Sequence, residues 1–274
     1  RNKMSHTISR FMTSFCLALT KPLKPYRKAI TRALISENMC QTWTVKTKNK
    51  EIRFNCPSAR SLHDIATLDE NEPETLNFLN KLTNKDVLWD IGANVGVFTI
   101  YASKINKTQV VAFEPSASSY ATLIKNIEIN KVSTTVNAYN IALHNKNKLS
   151  YLFMENTESG HSMHSFDNNK NAMGKIKTSF KQSVLGFTID QFFQQFKPLP
   201  PSHIKIDVDG NELLVLKGGE KVIKKYVKSF IIETESFSNK RDREKLIKYI
   251  YKLGFVEEDF NKNEGYRNKI FIKK

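Results

Sequence analysis

The 274-residue chain has no hydrophobic run long enough to cross a membrane. Its best candidate, Phe11–Leu19, is nine residues interrupted by Thr13 and Ser14, against the roughly 20 that a spanning helix requires. The run follows Arg1, Lys3 and Arg10, as in a degenerate signal peptide, but Lys21-Pro22 stands where a small-residue cleavage site belongs. The expectation is a cytoplasmic protein with a surface-associating helix, peripheral to a membrane. Cysteine is also scarce. Cys16, Cys40 and Cys56 are odd in number and widely spaced, which excludes a disulfide framework and a metal-binding spacing and fits a reducing compartment. Internal repeats and nucleic-acid-binding signatures are absent, and the few aromatics near the N-terminus form no stacking platform.

Acidic charge is in short supply, but only at one end. The chain carries 43 Lys and Arg against 27 Asp and Glu, a net charge of +16. Residues 1–60 hold 13 of those cations against only Glu37 and Glu51, a local excess of +11, and the remainder carries +5. A basic arm of this kind attracts nucleic acid, an anionic membrane surface or a phosphorylated substrate, unless it is only a solvated face. With 40% hydrophobic residues the rest can bury a core, and its length suits one sizeable domain plus an extension.

Periodicity predicts short helices over 1–40, broken at Pro22 and Pro25, then a hairpin pairing Thr42–Thr47 with Glu51–Phe54 across Lys48-Asn49-Lys50. A helix is predicted to start at Pro73. Strands are predicted at Val87–Ile91, Gln109–Phe113, Thr135–Ile141, His203–Val208 and Ser229–Thr234. Between or after them come helices at Val97–Ile105, Ser116–Asn130, Ile189–Phe196, Glu212–Tyr226 and Lys240–Leu253. The tail offers Gly254–Asp259 and Lys269–Lys273 as a closing antiparallel pair. Strands alternating with helices predict a Rossmann-like, doubly wound α/β sheet, mostly parallel and covered on both faces. Residues 1–60 then form a basic helical and hairpin extension and 61–274 the main domain. Asn145–Ser183 breaks the alternation, is polar and Asn-rich, and reads as an irregular insertion serving as a lid or substrate loop.

The most informative stretch is Asp86-Val-Leu-Trp-Asp-Ile-Gly-Ala-Asn-Val-Gly96. A strand enters a tight glycine turn and then a helix, where backbone N–H groups and a carboxylate meet a nucleotide-like ligand. Its glycines stand at Gly92 and Gly96, with Asn94 where a dinucleotide site would need a second close-approach glycine. No pyrophosphate cradle is written. The pattern suits S-adenosylmethionine, which has no phosphates and carries an ammonium group that Asp90 can attract. Glu114, 24 residues beyond Asp90 at the end of the second strand, sits where a carboxylate accepts hydrogen bonds from ribose hydroxyls. A third signal is Lys205-Ile-Asp-Val-Asp-Gly-Asn-Glu212 at a later strand end. Asp207, Asp209 and Glu212 can bind a divalent metal, abstract a proton or hold an acceptor hydroxyl, and the helix that follows can use one of them as a cap.

Trp89–Gly96, Ala112-Phe-Glu-Pro115, Phe187-Thr-Ile-Asp190, His203–Gly210 and Val215-Leu-Lys-Gly218 together resemble the FkbM-type methyltransferase family over roughly residues 85–235. The resemblance implies a class I fold with a seven-stranded sheet, S-adenosylmethionine as cofactor, and O-methylation of a sugar, glycan or related natural product. It implies that Asp90, Gly92, Ala93, Asn94 and Gly96 line the methionine end of the cofactor and that Glu114 and Pro115 adjoin the ribose. Asn140 and Ala142 then adjoin the adenine. The family often has Glu where this chain has Asp209, and the block here ends Gly210-Asn-Glu. The basic arm lies outside the resemblance.

Methyl transfer needs aligned reactants and a base for the acceptor hydroxyl. Asp207, His161, His164 and His203 are the candidates, with Asp207 and His161 taken as catalytic and Asp207 also beside the cofactor. The acceptor expected is a small molecule or glycan, including phosphorylated or lipid-linked forms. Two other readings stay open, a nucleic-acid or protein methyltransferase recruited by the basic arm and a methyltransferase-like module that binds without catalysis.

Overall fold

A computed structural model describes residues 2–39, 41–47, 50–234, 240–258 and 266–274. Cys40, the hairpin residues Lys48 and Asn49, and Asp259 at the end of a predicted strand lie outside the described residues. The chain divides into two compact units, Arg1–Gln41 and Thr42–Lys274. In the first, α1 (Asn2–Leu19) and α2 (Pro25–Asn38) are separated at the two prolines. Pro25 opens α2, where a missing N–H costs nothing. Arg32 Nε donates to Thr20 Oγ1 at 2.9 Å and its Nη2 to the Leu17 carbonyl at 3.3 Å. One guanidinium thereby caps α1 and ties the two helices together.

The second unit opens with a hairpin, β1 (Gln41–Thr47) and β2 (Lys50–Cys56), followed by α3 (Ala59–Ala66), α4 (Leu68–Asn71) and α5 (Pro73–Asn80). Regular alternation follows in β3 (Val87–Ile91), α6 (Val97–Asn106), β4 (Gln109–Phe113), α7 (Ala117–Asn130) and β5 (Val136–Tyr139). The next segment holds β6 (Ala142–Leu143), β7 (Lys148–Met154), β8 (Ser165–Phe166), β9 (Lys170–Asn171), β10 (Gly174–Lys175) and β11 (Phe180–Phe187). Last come α8 (Ile189–Phe196), β12 (His203–Ile206), α9 (Glu212–Lys217), α10 (Glu220–Tyr226), β13 (Ser229–Glu233), α11 (Lys240–Lys252), β14 (Phe255–Glu257) and β15 (Asn268–Lys273).

The main sheet has seven strands in the order β14-β15-β13-β12-β3-β4-β5. Pairs from β13 through β5 are parallel, and β15 runs antiparallel to both of its neighbours. The period of two along each strand splits the core into two layers. Leu88, Val110 and Ile231 face α5, α6, α7 and the hairpin, and Trp89, Val111 and Phe230 face α8 to α11. Two charged residues interrupt the first layer on one rung, Asp90 of β3 and Lys205 of β12. Chain order reverses between β3 and β12, so their carboxyl ends flank the crevice where open α/β sheets bind ligands.

The hairpin, grouped by sequence with the basic extension, belongs to the core of the larger unit. Ile52 and Phe54 are fully buried, and the Asn130 and Asn126 side chains accept from the Arg53 and Asn55 amides at 3.0 and 2.7 Å. The segment expected to be irregular also carries structure. β6, β11, β7 and β8 form a second sheet with β7 and β11 antiparallel along most of their length. Its pattern was hard to read because one face leaves Leu149, Tyr151 and Leu185 exposed while only the other packs inward.

The helix predicted over Glu212–Tyr226 is two helices, broken at Gly218-Gly219. A Cβ on Gly218 would lie 2.1 Å from the His144 carbonyl oxygen, and one on Gly219 would lie 2.8 Å from Ile189. The backbone of the break is therefore packed directly on the end of β6 and the start of α8. Asp190 secures the restart, its carboxylate accepting from Val222 N at 2.9 Å and Lys221 N at 3.2 Å at the head of α10. Replacing Gly218 by Ala forces β6 away and is expected to cost about 1–3 kcal/mol as an overpacked contact, read as a lower urea midpoint. An unchanged midpoint would show that the His144 backbone has room to yield.

Candidate active site

Three turns converge at the carboxyl ends of β12, β3 and β4. In the first, Gly92, Asn94 and Gly96 all have positive φ, of 82°, 50° and 86°. A Cβ on Gly92 would stand 1.8 Å from the Asp207 carbonyl oxygen, so hydrogen is the only side chain that lets the β3 and β12 turns meet. The Gly92 and Ala93 amides donate to the Phe113 carbonyl at 2.9 and 3.0 Å, which fixes the turn to β4. Gly96 starts α6 with Leu123 pressed against it.

Glu114 closes the second turn. Its Oε2 accepts from Asn94 N at 2.8 Å and its Oε1 from Ser116 N at 2.7 Å. Burial pushes this carboxyl up to about 7, against the pull of those two amides. Asn140 Nδ2 donates to the Glu114 and Pro115 carbonyls at 2.7 and 3.0 Å. The Asn140 side chain therefore braces the β4 exit and does not reach the cavity, whereas Ala142 lines it.

The third turn runs from Asp207 to Asn211, with Asp209 in a left-handed conformation at φ 55°. Lys205, almost fully buried beneath it, lies 3.2 Å from Asp207 Oδ2 and 3.8 Å from Asp90 Oδ1, with Phe98 under its ammonium at 5.1 Å. Burial works against the charged lysine, but Asp207, Asp90 and Glu72 together hold its pKa above the ordinary value. Asp90 is buried too, with Oδ2 taking the Thr99 hydroxyl at 2.5 Å; burial raises its carboxyl, offset in part by Lys205 and Thr99. It borders neither cavity described below.

Two adjoining cavities share Gly92, Asn94, Ser162, Asp207 and Asp209. The first runs over Phe113, Glu114, Pro115 and Ala142 and is roofed by Leu152 and Phe166 of the small sheet, with His161 and His164 beside them. The two imidazoles stack at 5.3 Å. Burial lowers His164 to about 4, His161 adding to the effect, so it is neutral at physiological pH. Neither His164 nitrogen has a hydrogen-bond partner, and Asn94 Oδ1 and His161 Nδ1 are likewise unpaired. The second cavity is lined by Arg60, Glu72, Phe98, Lys205, Glu233 and Arg267 among others. His203 lies at the opposite end of its strand, bonded to Ser229 and Asp86 at 2.7 and 3.3 Å, in a structural position.

Asp207, Asp209 and Glu212, one carboxylate set that the sequence allows, do not come together. Glu212 turns back to accept from Gly210 N at 3.0 Å and Val208 N at 3.3 Å, stabilising its own turn. Among the described residues, Glu233 from the end of β13 takes its place, with one oxygen each of Asp207, Asp209 and Glu233 lying within 4.8 Å of one another. Desolvation beside the Asp207 charge pushes the Asp209 carboxyl well above its usual range. A divalent cation would enter this set only by competing with Lys205 for Asp207.

The methyltransferase FkbM domain matches residues 90–267. The chain belongs to the FkbM methyltransferase family. Hexuronic acid methyltransferase AglP of Haloferax volcanii is 26% identical to it over 71% of this chain and 75% of that protein. Methyltransferase sdnD of Sordaria araneosa is 24% identical over 56% of this chain and 68% of its own length. A crystal structure of an FkbM methyltransferase from Methylobacillus flagellatus is 14% identical with a TM-score of 0.47, covering 70% of this chain and 44% of that one. The FkbM chain described here thus spans less than half the length of that solved relative.

Sequence reasoning passed over Lys205, although its position two residues before Asp207 on a strand puts both on one face. Glu233 was readable as the end of the neighbouring strand. Arg60, Glu72 and Arg267 carried no local signal.

The site has a pH signature. Glu212 is pushed up to about 7 by burial, from 4.5. The folded chain therefore keeps a proton that the unfolded chain releases, and stability falls as pH rises from about 4.5 through about 7. Glu212→Gln keeps the acceptor oxygen and removes the titration. Thermal melts at pH 5 and pH 8 should differ less in this variant than in the parent, and an equal difference would contradict the burial of an ionising Glu212.

Proposed function

We propose that this FkbM methyltransferase moves a methyl group from S-adenosylmethionine to a hydroxyl oxygen of a sugar, glycan or related small molecule, within the unit Thr42–Lys274. The observation that carries the reading is the meeting of two cavities at Asp207 and Asp209 above the Gly92–Gly96 turn. The first cavity fits the cofactor in kind. It has a buried carboxylate held by two amides, apolar walls at Phe113, Ala142 and Phe166, and unpaired polar atoms on Asn94 and His164. When bound, the cofactor supplies a methyl carbon activated by a sulfonium.

Glu114, with both oxygens already oriented by amides, is assigned to the ribose hydroxyls. Gly92, Ala93, Asn94 and Gly96 shape the turn beneath the methionine end, and Pro115 and Ala142 adjoin the ring system. Asp90 acts from below, through Lys205 and Thr99, and not by direct contact. His161 and His164 line the first cavity but not the second, which favours a cofactor-facing role for both.

Asp207 borders both cavities and is assigned as the base that takes the acceptor's proton as the new oxygen–carbon bond forms. Lys205 positions its carboxylate. The second cavity is assigned to the acceptor. Its Arg60 and Arg267 suit an acidic sugar, and the Haloferax relative's name, hexuronic acid methyltransferase, supports that class.

Mass-spectrometric screening of neutral and acidic saccharides with isotopically labelled S-adenosylmethionine tests the reaction. Asp207→Asn should lower transfer by about 10²–10⁴-fold, the range of a lost general base, while cofactor affinity changes little. Undiminished transfer would remove Asp207 from the base role. Glu114→Ala should instead weaken cofactor binding in calorimetry, and unchanged binding would remove Glu114 from the ribose.

A further inference from the structure

The first unit is left unexplained by methyl transfer. No described residue of α1 or α2 is buried, yet helices of this length hold in water mainly by burying an apolar face. Both helices have such a face. At 100° per residue, Met4, Ile8, Phe11, Met12, Phe15 and Leu19 fall within one third of the α1 circumference. All six are exposed, with Met4 at 72%, Phe11 at 68% and Leu19 at 61%. Lys3, His6 and Arg10 occupy the opposite side. In α2, Tyr26, Ile30 and Leu34 repeat every four residues and are exposed as well. The Arg32 bonds to Thr20 and Leu17 hold the two helices in a fixed hairpin.

Charge identifies what covers this face. Residues 1–36 contain eight Lys and Arg and no Asp or Glu. A second copy of the hairpin would bring two such sets together, which repel. Nucleic acid would meet the cations but leave the apolar stripe in water. An anionic bilayer satisfies both, with hydrocarbon under the stripe and lipid headgroups beside the lysines and arginines. No described helix is long and apolar enough to cross a membrane, so the hairpin lies in the interface plane. We propose that α1 and α2 form an amphipathic docking surface for an anionic lipid membrane, with Met4, Ile8, Phe11, Phe15 and Leu19 inserted below the headgroups.

The full chain is tested by co-sedimentation with vesicles of phosphatidylcholine alone and of phosphatidylcholine with phosphatidylglycerol. Each cation beside an anionic leaflet strengthens binding by about fivefold. The expected result is therefore binding at least tenfold tighter to the anionic vesicles, weakened by salt. Phe11→Asp with Phe15→Asp, at exposed positions that leave the fold intact, should abolish it. Lys24→Glu with Lys28→Glu should weaken it by about tenfold or more without changing the thermal melt. Equal binding to both vesicle types, or retention by the Phe11/Phe15 variant, would overturn the proposal. So would RNA binding as tight as vesicle binding and unaffected by that variant, or self-association that the variant abolishes.

Discussion

A buried lysine organises this molecule. Lys205 sits on the central strand of the sheet, on the same rung as Asp90, and reaches Asp207 at the strand's end. Taking Lys205 and Asp90 out of water is costly, and the cost is offset by their facing each other and by Asp207 beside the lysine. The arrangement ties the floor of the glycine turn to the turn beside it, so the two strand ends at the crevice cannot move independently. A Gly92 with no room for a side chain against the Asp207 carbonyl completes the link from the backbone side.

That link determines what the loops above can do. Glu114 is oriented by an amide of the glycine turn, and the glycine turn is oriented by the β4 carbonyl it grips. The carboxylate proposed to hold the ribose is thus fixed by backbone amides, with little freedom to adapt. Acceptor specificity is accordingly assigned, in the same proposal, to the second cavity. The second cavity is assembled from four distant pieces, with Arg60 from α3, Glu72 before α5, Glu233 from β13 and Arg267 before β15. The insertion after β6 contributes to both cavities at once, through Phe166 and His164 on one side and Met163 and Met173 on the other. Binding of one ligand therefore bears on the wall of the other.

The parts of the fold written in local patterns were legible from sequence. The strand–glycine–helix unit at Val87–Asn106, the acidic end of β4 and the alternation of strands with helices all rest on short-range periodicity and turn chemistry. The small sheet was not legible, because its strands carry apolar residues on the exposed face as well as the buried one, which hides the alternation, and its pairing spans the whole insertion. The helix break at Gly218 depends on a carbonyl more than seventy residues earlier in the chain. Glu212 looked like a site ligand because nothing local reveals which way a carboxylate turns. Lys205 stands inside a recognised motif, but its importance depends on Asp90 lying across the sheet.

The role of Lys205 is most directly tested by a double-mutant cycle in urea between Lys205→Met and Asp90→Asn. If Lys205 is the charge that Asp90 requires, removing the second partner after the first costs little, and the coupling is about 1–3 kcal/mol. Additive losses, with no coupling, would show that the lysine and the aspartate are independent and that the two turns are held together by something else.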